Sequence, residues 1–348
     1  MHTIKINFEK KVNNDQIEQA AKILNEGGIV AFPTETVYGL GGDALNPIAV
    51  EKIFAAKGRP QDNPLIIHVA DDDMSRFVQT IPEKAKELMD KFWPGPLTVI
   101  LKKTSLVPSE TSGGLDSIGV RKPSNPIALA LIKALGRPIA APSANLSGKP
   151  SPTTFERCVE DLSGRVDMII GDGQSILGLE STIVDYSVSP PRLLRPGYIT
   201  FEELIEVDKT MVYDEEGTRV GDDEAPKAPG MKYRHYAPKA PMTIILGDKD
   251  DVIKKMVDLV SEATKKDLRI GVLAPDERKS LYDEFVTFIS LGAEQDSRAM
   301  GRNLFEGLRQ CDDMDVDVIF AEGIEEAGIG KAVMNRLKKA SGFQIIEV

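Results

Sequence analysis

The stretch DQIEQAAKILNEGGIVAFPTET, residues 15–36, decides the fold class. Ile17, Ala20, Ala21 and Leu24 recur at the spacing that lines one face of an α-helix. Gly27-Gly28 then halts that helix, as expected where a chain must leave the right-handed region. Ile29-Val30-Ala31-Phe32 follows as a short buried strand, ended by Pro33. Thr34-Glu35-Thr36 places polar side chains just past the strand's end. Helix, glycine stop, strand and polar loop together make one α/β unit.

The same unit repeats outward along the chain. Helices are predicted over 50–56, 83–92 and 126–135, and strands over 65–69, 97–101, 117–120, 138–141, 168–170 and 181–185. Several strands are short and end at Pro, which argues for a twisted mixed sheet rather than a simple doubly wound order. From about 208 to 240 the pattern breaks into acidic runs, Asp214–Gly217 and Asp222–Glu224, interrupted by Pro226, Pro229 and Pro238. That segment reads as a linker, yet it carries Met231-Lys232-Tyr233-Arg234-His235-Tyr236, whose cations and rings could meet a ligand. After it the alternation restarts, with strands at 242–246, 269–273, 285–291 and 316–321 and helices at 252–264, 298–310 and 332–340. The expected domains are 1–207, a linker at 208–240, and a smaller Rossmann-like α/β domain at 241–348.

Composition narrows the function. The 348 residues carry 43 Lys and Arg against 54 Asp and Glu, a net charge of -11. A whole-surface nucleic-acid binder is normally basic, so any anion must be met by a local cation cluster. Two cysteines, Cys158 and Cys311, build neither a disulfide scaffold nor a Cys-rich zinc site. No apolar run is long enough to cross a membrane, and Met1–Asn7 has no apolar signal core, so no membrane association is expected and the cytoplasm is the expected compartment.

No P-loop, HExxH or GxSxG pattern is present. Gly39-Leu40-Gly41-Gly42 follows a strand but lacks the third glycine of the dinucleotide fingerprint, and is weak evidence for a phosphate loop. Cations and hydroxyls at strand ends are more telling. Lys57-Gly58-Arg59 could clamp a polyphosphate, with Gly58 allowing close backbone approach, or be a solvated loop. Arg121, after the strand 117–120, is either a surface charge or the partner of a substrate carboxylate. Ser143 and Asn145 are either a self-bonded turn or a ligand edge of the kind α/β sheets offer. His68 lies inside an apolar strand, where a satisfied core histidine is the commoner case. Jointly these residues suit a nucleotide and a small anionic ligand.

At these residues the chain resembles the YrdC-like family in its long two-domain form. The family signature of Lys-x-Arg followed far downstream by Ser-x-Asn stands here as Lys57-Gly58-Arg59 and Ser143-Ala144-Asn145. Matching stretches include residues 32–40, 92–98, 118–121, 180–184, 195–197, 228–238 and 334–340. Ser117 departs from the threonine common in relatives but keeps the hydroxyl.

The resemblance implies a nucleotidyltransferase that makes threonylcarbamoyl-AMP and pyrophosphate from L-threonine, bicarbonate or CO2, and ATP, for t6A modification of tRNA. It implies Mg2+ carried on the ATP phosphates and no protein metal site. It also implies a product passed to threonylcarbamoyl transferase machinery. By resemblance the catalytic set is Lys57, Arg59, Ser143 and Asn145. ATP would be held by Lys57, Arg59, Asn63, Ser117, Ala141, Ser143, Ser151 and Arg195, with His235 and Tyr236 covering the site from the linker. Threonine would meet Thr34, His68, Arg121 and Ser181, with Arg121 on its carboxylate. The alternative is an RNA-binding module without adenylate chemistry, which strongly salt-dependent binding would favour.

Overall fold

The computed structural model describes residues 2–8, 13–213, 226–229, 231, 235–282 and 285–348. The acidic runs of the linker and Lys232, Tyr233 and Arg234 lie outside the described residues. The chain divides into two compact units. One comprises Met1–Ser147, Ser151–Ile176 and Glu180–Tyr233, and the other Gly148–Pro150, Leu177–Leu179 and Arg234–Val348.

The strands of the first unit are β1 (Ile4–Asn7), β2 (Val30–Phe32), β3 (Gly39–Asp43), β4 (Ile66–His68), β5 (Leu97–Lys102), β6 (Ser117–Arg121), β7 (Ile139–Ala140), β8 (Met168–Gly171), β9 (Thr182–Asp185) and β10 (Arg192–Arg195). They form one mixed sheet in the order β1-β8-β2-β3-β7-β4-β6-β5-β9-β10. β4 runs parallel to β6, and β5 parallel to β9, whereas β5 and β6 are antiparallel. The expected twisted mixed sheet is present.

Two strands depart from the sequence reading. β1 has only two apolar residues, Ile4 and Ile6, and is recruited by pairing with β8. The glycine run at 39–43 is a buried strand and not a phosphate loop. Its glycines serve packing: a Cβ on Gly41 would stand 2.5 Å from Ile139 Cγ2 and 2.7 Å from a Phe32 ring carbon.

Side-chain alternation gives the sheet two unlike faces. Ile67, Leu97, Val99, Leu101, Ile118, Val120 and Val184 point into the main core. On the other face, the β1-β8-β2-β3-β7 half is covered by the helices Asn14–Asn25 and Pro126–Leu135, whose apolar residues pack with Val30, Phe32, Ile139 and Ile170. The β4-β6-β5-β9 half of that face instead carries a small apolar floor of Ile66, Ile100 and Ile183, with Leu194, Ala228 and Met231. The alternation places His68, Thr98, Ser117, Gly119 and Arg121 on this half.

The second unit has β11 (Met242–Leu246), β12 (Ile270–Ala274), β13 (Thr287–Ser290), β14 (Val318–Glu322) and β15 (Ile345–Glu347), ordered β13-β12-β14-β11-β15. Every pairing is parallel. Parallel strands need long crossovers, supplied by the helices Lys249–Thr264, Ser297–Asp313 and Ile329–Ala340. This is the Rossmann-like layering expected from the sequence.

Candidate active site

The helix Pro47–Lys57 begins at an Asn46 cap, whose Oδ1 accepts from the Ile48 and Ala49 amides, and ends at Gly58. Gly58 has φ 64°, with open space where a Cβ would sit. Its glycine therefore serves the left-handed turn that stops the helix. The stop makes Lys57 the last helical residue and buries it. Its Nζ donates to the Ser143 carbonyl and, at 2.6 Å, to the Asn145 carbonyl, with Asn145 Oδ1 at 3.4 Å. Three oxygen acceptors suit an ammonium. Burial first, and then the charge of Arg59, push that ammonium well below lysine's ordinary range.

The 142–147 loop is held from both sides. Ala144 N donates to the Tyr38 carbonyl at 2.8 Å, and Ser147 N to the Lys57 carbonyl at 2.9 Å. Ser143 Oγ donates to Asn145 Oδ1 at 2.5 Å. Arg59 Nη2 reaches the Asn63 and Pro64 carbonyls at 3.4 and 3.3 Å. Asn63 is buried, and its Oδ1 has no hydrogen-bond partner. Lys57, Arg59, Asn63, Ser143 and Asn145 thus form one cationic and amide-lined cluster, from residues far apart in sequence.

A second cluster lies on the open half of the sheet. The β4–β6 register pairs His68 with Arg121. Arg121 Nη2 stands 2.7 Å from Glu35 Oε1, and both side chains are only 5% exposed. The ion pair is close but off-line: neither Glu35 oxygen, nor Arg121 Nε or Nη2, has a hydrogen-bond partner. His68 Nδ1 is likewise buried without one. Thr98 and Ser181 hydroxyls meet at 2.8 Å. Arg195 donates from Nε to the Ser181 carbonyl at 3.0 Å and from Nη2 to Ser181 Oγ at 3.2 Å. Arg195 Nη1 also reaches the Pro229 carbonyl at 3.3 Å, so part of the linker packs on this face.

Other sequence-predicted residues are placed as follows. Thr34 is engaged locally, donating to the Val37 carbonyl at 2.6 Å and accepting from the Thr36 and Val37 amides. Ser151 Oγ donates to Glu180 Oε1 at 2.7 Å. Ser117 stands at the far end of β6 from Arg121, paired with Lys102, about 13 Å along the strand. That is the end where β4 is entered from Asn63-Pro64, because the two strands are parallel. Ala141 follows β7, its amide donating to the Ile66 carbonyl at 3.0 Å. His235 and Tyr236 belong to the second unit, where Tyr236 is buried and stacked on Phe305 at 4.9 Å.

Sequence reasoning passed over Glu35, Thr98 and Glu180 as site residues. Glu35 lies in the Thr34-Glu35-Thr36 stretch beyond β2. Thr98 was detectable as the one hydroxyl in an otherwise apolar strand core.

His68 is held neutral. Burial first, and then the Arg121 charge, pull its pKa from 6.5 to about 3. Below pH 6.5 the unfolded chain takes a proton that the folded chain refuses, so this group's contribution falls as pH drops from 6.5 toward 3. Urea titrations at pH 6.5 and 4.5 should show the wild type losing roughly 2–3 kcal/mol more between those pH values than His68→Gln does. Equal losses would mean that His68 is protonated in the folded protein.

Residues 22–197 match the Sua5/YciO/YrdC family model, described as telomere recombination. The chain belongs to the Sua5/YciO/YrdC family. Residues 199–342 match the threonylcarbamoyl-AMP synthase C-terminal domain, so this member carries both parts. A Pyrococcus abyssi relative named threonylcarbamoyl-AMP synthase is 47% identical over 99% of this chain and 100% of its own. A Bacillus subtilis relative of the same name is 45% identical over 99% of this chain and 98% of its own. Among solved structures, P. abyssi Sua5 complexed with L-threonine is 46% identical, with a TM-score of 0.93 over 99% of this chain and 100% of that one. The matches span at least 98% of each of these relatives and 99% of this chain.

Proposed function

We propose that this chain is a threonylcarbamoyl-AMP synthase, a nucleotidyltransferase that joins L-threonine, bicarbonate or CO2, and ATP and releases pyrophosphate. The observation that carries the reading is the end-to-end likeness to proteins of that name. The geometry of the two clusters suits the chemistry. Threonine's amine and bicarbonate form a carbamate with no covalent enzyme intermediate. A carbamate oxygen then attacks the α-phosphorus of ATP, and pyrophosphate leaves. Both partners are anions, so the enzyme's task is charge neutralisation and positioning.

Lys57 and Arg59, with Asn63, Ser143 and Asn145, would take the phosphates. Arg121 would take threonine's carboxylate, with Thr34, His68 and Ser181 around the rest of the amino acid. Arg195 contacts Ser181 directly, and on this reading it would bridge the nucleotide and threonine sides. Neutral His68 adds a hydrogen-bonding nitrogen without a second positive charge beside Arg121. Ser117, Ala141 and Ser151 would line the nucleotide's side. Mg2+ would travel on the phosphate oxygens. The product would pass to threonylcarbamoyl transferase machinery acting on tRNA, and the expected compartment is the cytoplasm.

The test is pyrophosphate release from ATP and Mg2+ by purified protein, with each co-substrate withheld in turn. Release should require both L-threonine and bicarbonate. Folded protein that releases none under any condition would sink the reading and return weight to RNA binding.

A further inference from the structure

We infer that Glu35 holds the ammonium group of the bound amino acid and takes its proton before the carbamate forms. This rests on the synthase reading and assigns that site a residue it lacks: a partner for the charged amine. The second cluster contains a buried carboxylate 2.7 Å from a buried guanidinium. Both Glu35 oxygens, Arg121 Nε and Nη2, and His68 Nδ1 have no hydrogen-bond partner. A finished structural ion pair would satisfy its remaining donors and acceptors, because an unmet buried polar group is costly. This one leaves them unmet on both sides.

The charges explain what would complete it. An amino acid is a zwitterion, and the Arg121–Glu35 pair offers it one cation and one anion. A carboxylate arriving at Arg121 provides the guanidinium with the in-line acceptor it lacks. Glu35, displaced from Arg121, then faces an ammonium. The substrate enters with no net charge buried. Among the described residues, the charged and titratable groups beside this pair include His68, paired with Arg121 in the β4–β6 register, and Arg195, bonded to Ser181. His68 is neutral and Arg121 and Arg195 are cations, so of these groups Glu35 is the one able to accept a proton from an ammonium.

The chemistry needs that acceptance. An ammonium has no lone pair. One N–H bond breaks, its proton goes to a Glu35 oxygen, and the electron pair left on nitrogen forms the N–C bond with bicarbonate. The nitrogen's second proton leaves with the departing hydroxide as water. With CO2 in place of bicarbonate, the second proton passes to solvent.

The experiment compares wild type, Glu35→Gln and Glu35→Asp by calorimetric titration with L-threonine and with 3-hydroxybutyrate, which lacks the amine. Glu35→Gln should lose at least about tenfold in threonine affinity, as expected for a lost charged partner. It should bind 3-hydroxybutyrate as well as wild type or better, which also shows that the variant is folded. Glu35→Asp should recover part of the threonine affinity. In turnover, Glu35→Gln should regain rate as pH rises through the free amino acid's own α-amino range, where free amine supplies itself. Unchanged threonine affinity, or equal losses for both ligands, would overturn the assignment. If wild type itself neither binds threonine nor releases pyrophosphate, the synthase reading falls with it. If wild type does both and Glu35→Gln does not discriminate, only the role of Glu35 falls.

Discussion

Replacing Lys57 with alanine is expected to cut threonine-dependent pyrophosphate release on the order of 10²–10³-fold, the effect of deleting one preorganised charge-stabilising donor. The size follows from where the lysine sits. It is buried, so its charge acts on phosphate oxygens through little water. It is also already anchored to the Ser143 and Asn145 carbonyls, so little reorganisation is needed when charge develops. Two controls separate chemistry from scaffolding. Lys57→Met keeps the stem but removes the donor, and should lose activity as fully as alanine while unfolding at higher urea. Lys57→Arg keeps the charge but forces a planar fork into a site shaped by three converging oxygens, and should rescue poorly. Steady-state pyrophosphate release and urea titration check both. If Lys57→Met retained wild-type turnover, the lysine would be only a clasp for the 142–147 loop.

Much of this arrangement was legible in the residues, for reasons that can be named. The strands from 66 to 68, 97 to 102 and 117 to 121 are apolar runs bounded by Pro or Gly, and their burial was readable from periodicity. Lys57, Arg59, Ser143 and Asn145 were visible because cations and amides follow directly on regular elements. Pairing was not legible. β1 was hidden because Ile4-Lys5-Ile6-Asn7 has too few apolar residues to announce a strand, and only β8 makes it one. The strand at 39–43 was hidden because the reason for Gly41 is a ring and a methyl from residues near and remote, Phe32 and Ile139. Arg195 and Ser181 were assigned to different substrates, yet the antiparallel β9–β10 pair puts them in contact. Such contacts follow from register, which a single chain's periodicity does not encode.

The same limit conceals the most consequential pair, Glu35 and Arg121, which lie in different elements and meet only through the fold. Arg121→Gln alone should destabilise the protein by about 3–5 kcal/mol, because it strands a buried carboxylate without its counter-charge. It should also lower kcat/KM for threonine on the order of 10²–10³-fold, the cost of truncating one partner of a buried charged contact. Adding Glu35→Gln should return most of the stability, since two neutral amides of matching size can sit side by side and no uncompensated charge remains. It should return none of the activity. The double variant therefore divides two roles that any single variant confounds. Urea titration measures the first and threonine-dependent turnover the second. Recovery of stability without activity means that the pair is kept for the substrate, since the fold does as well without its charges. Failure of the second substitution to restore stability would mean that Arg121 supports the sheet by contacts other than Glu35.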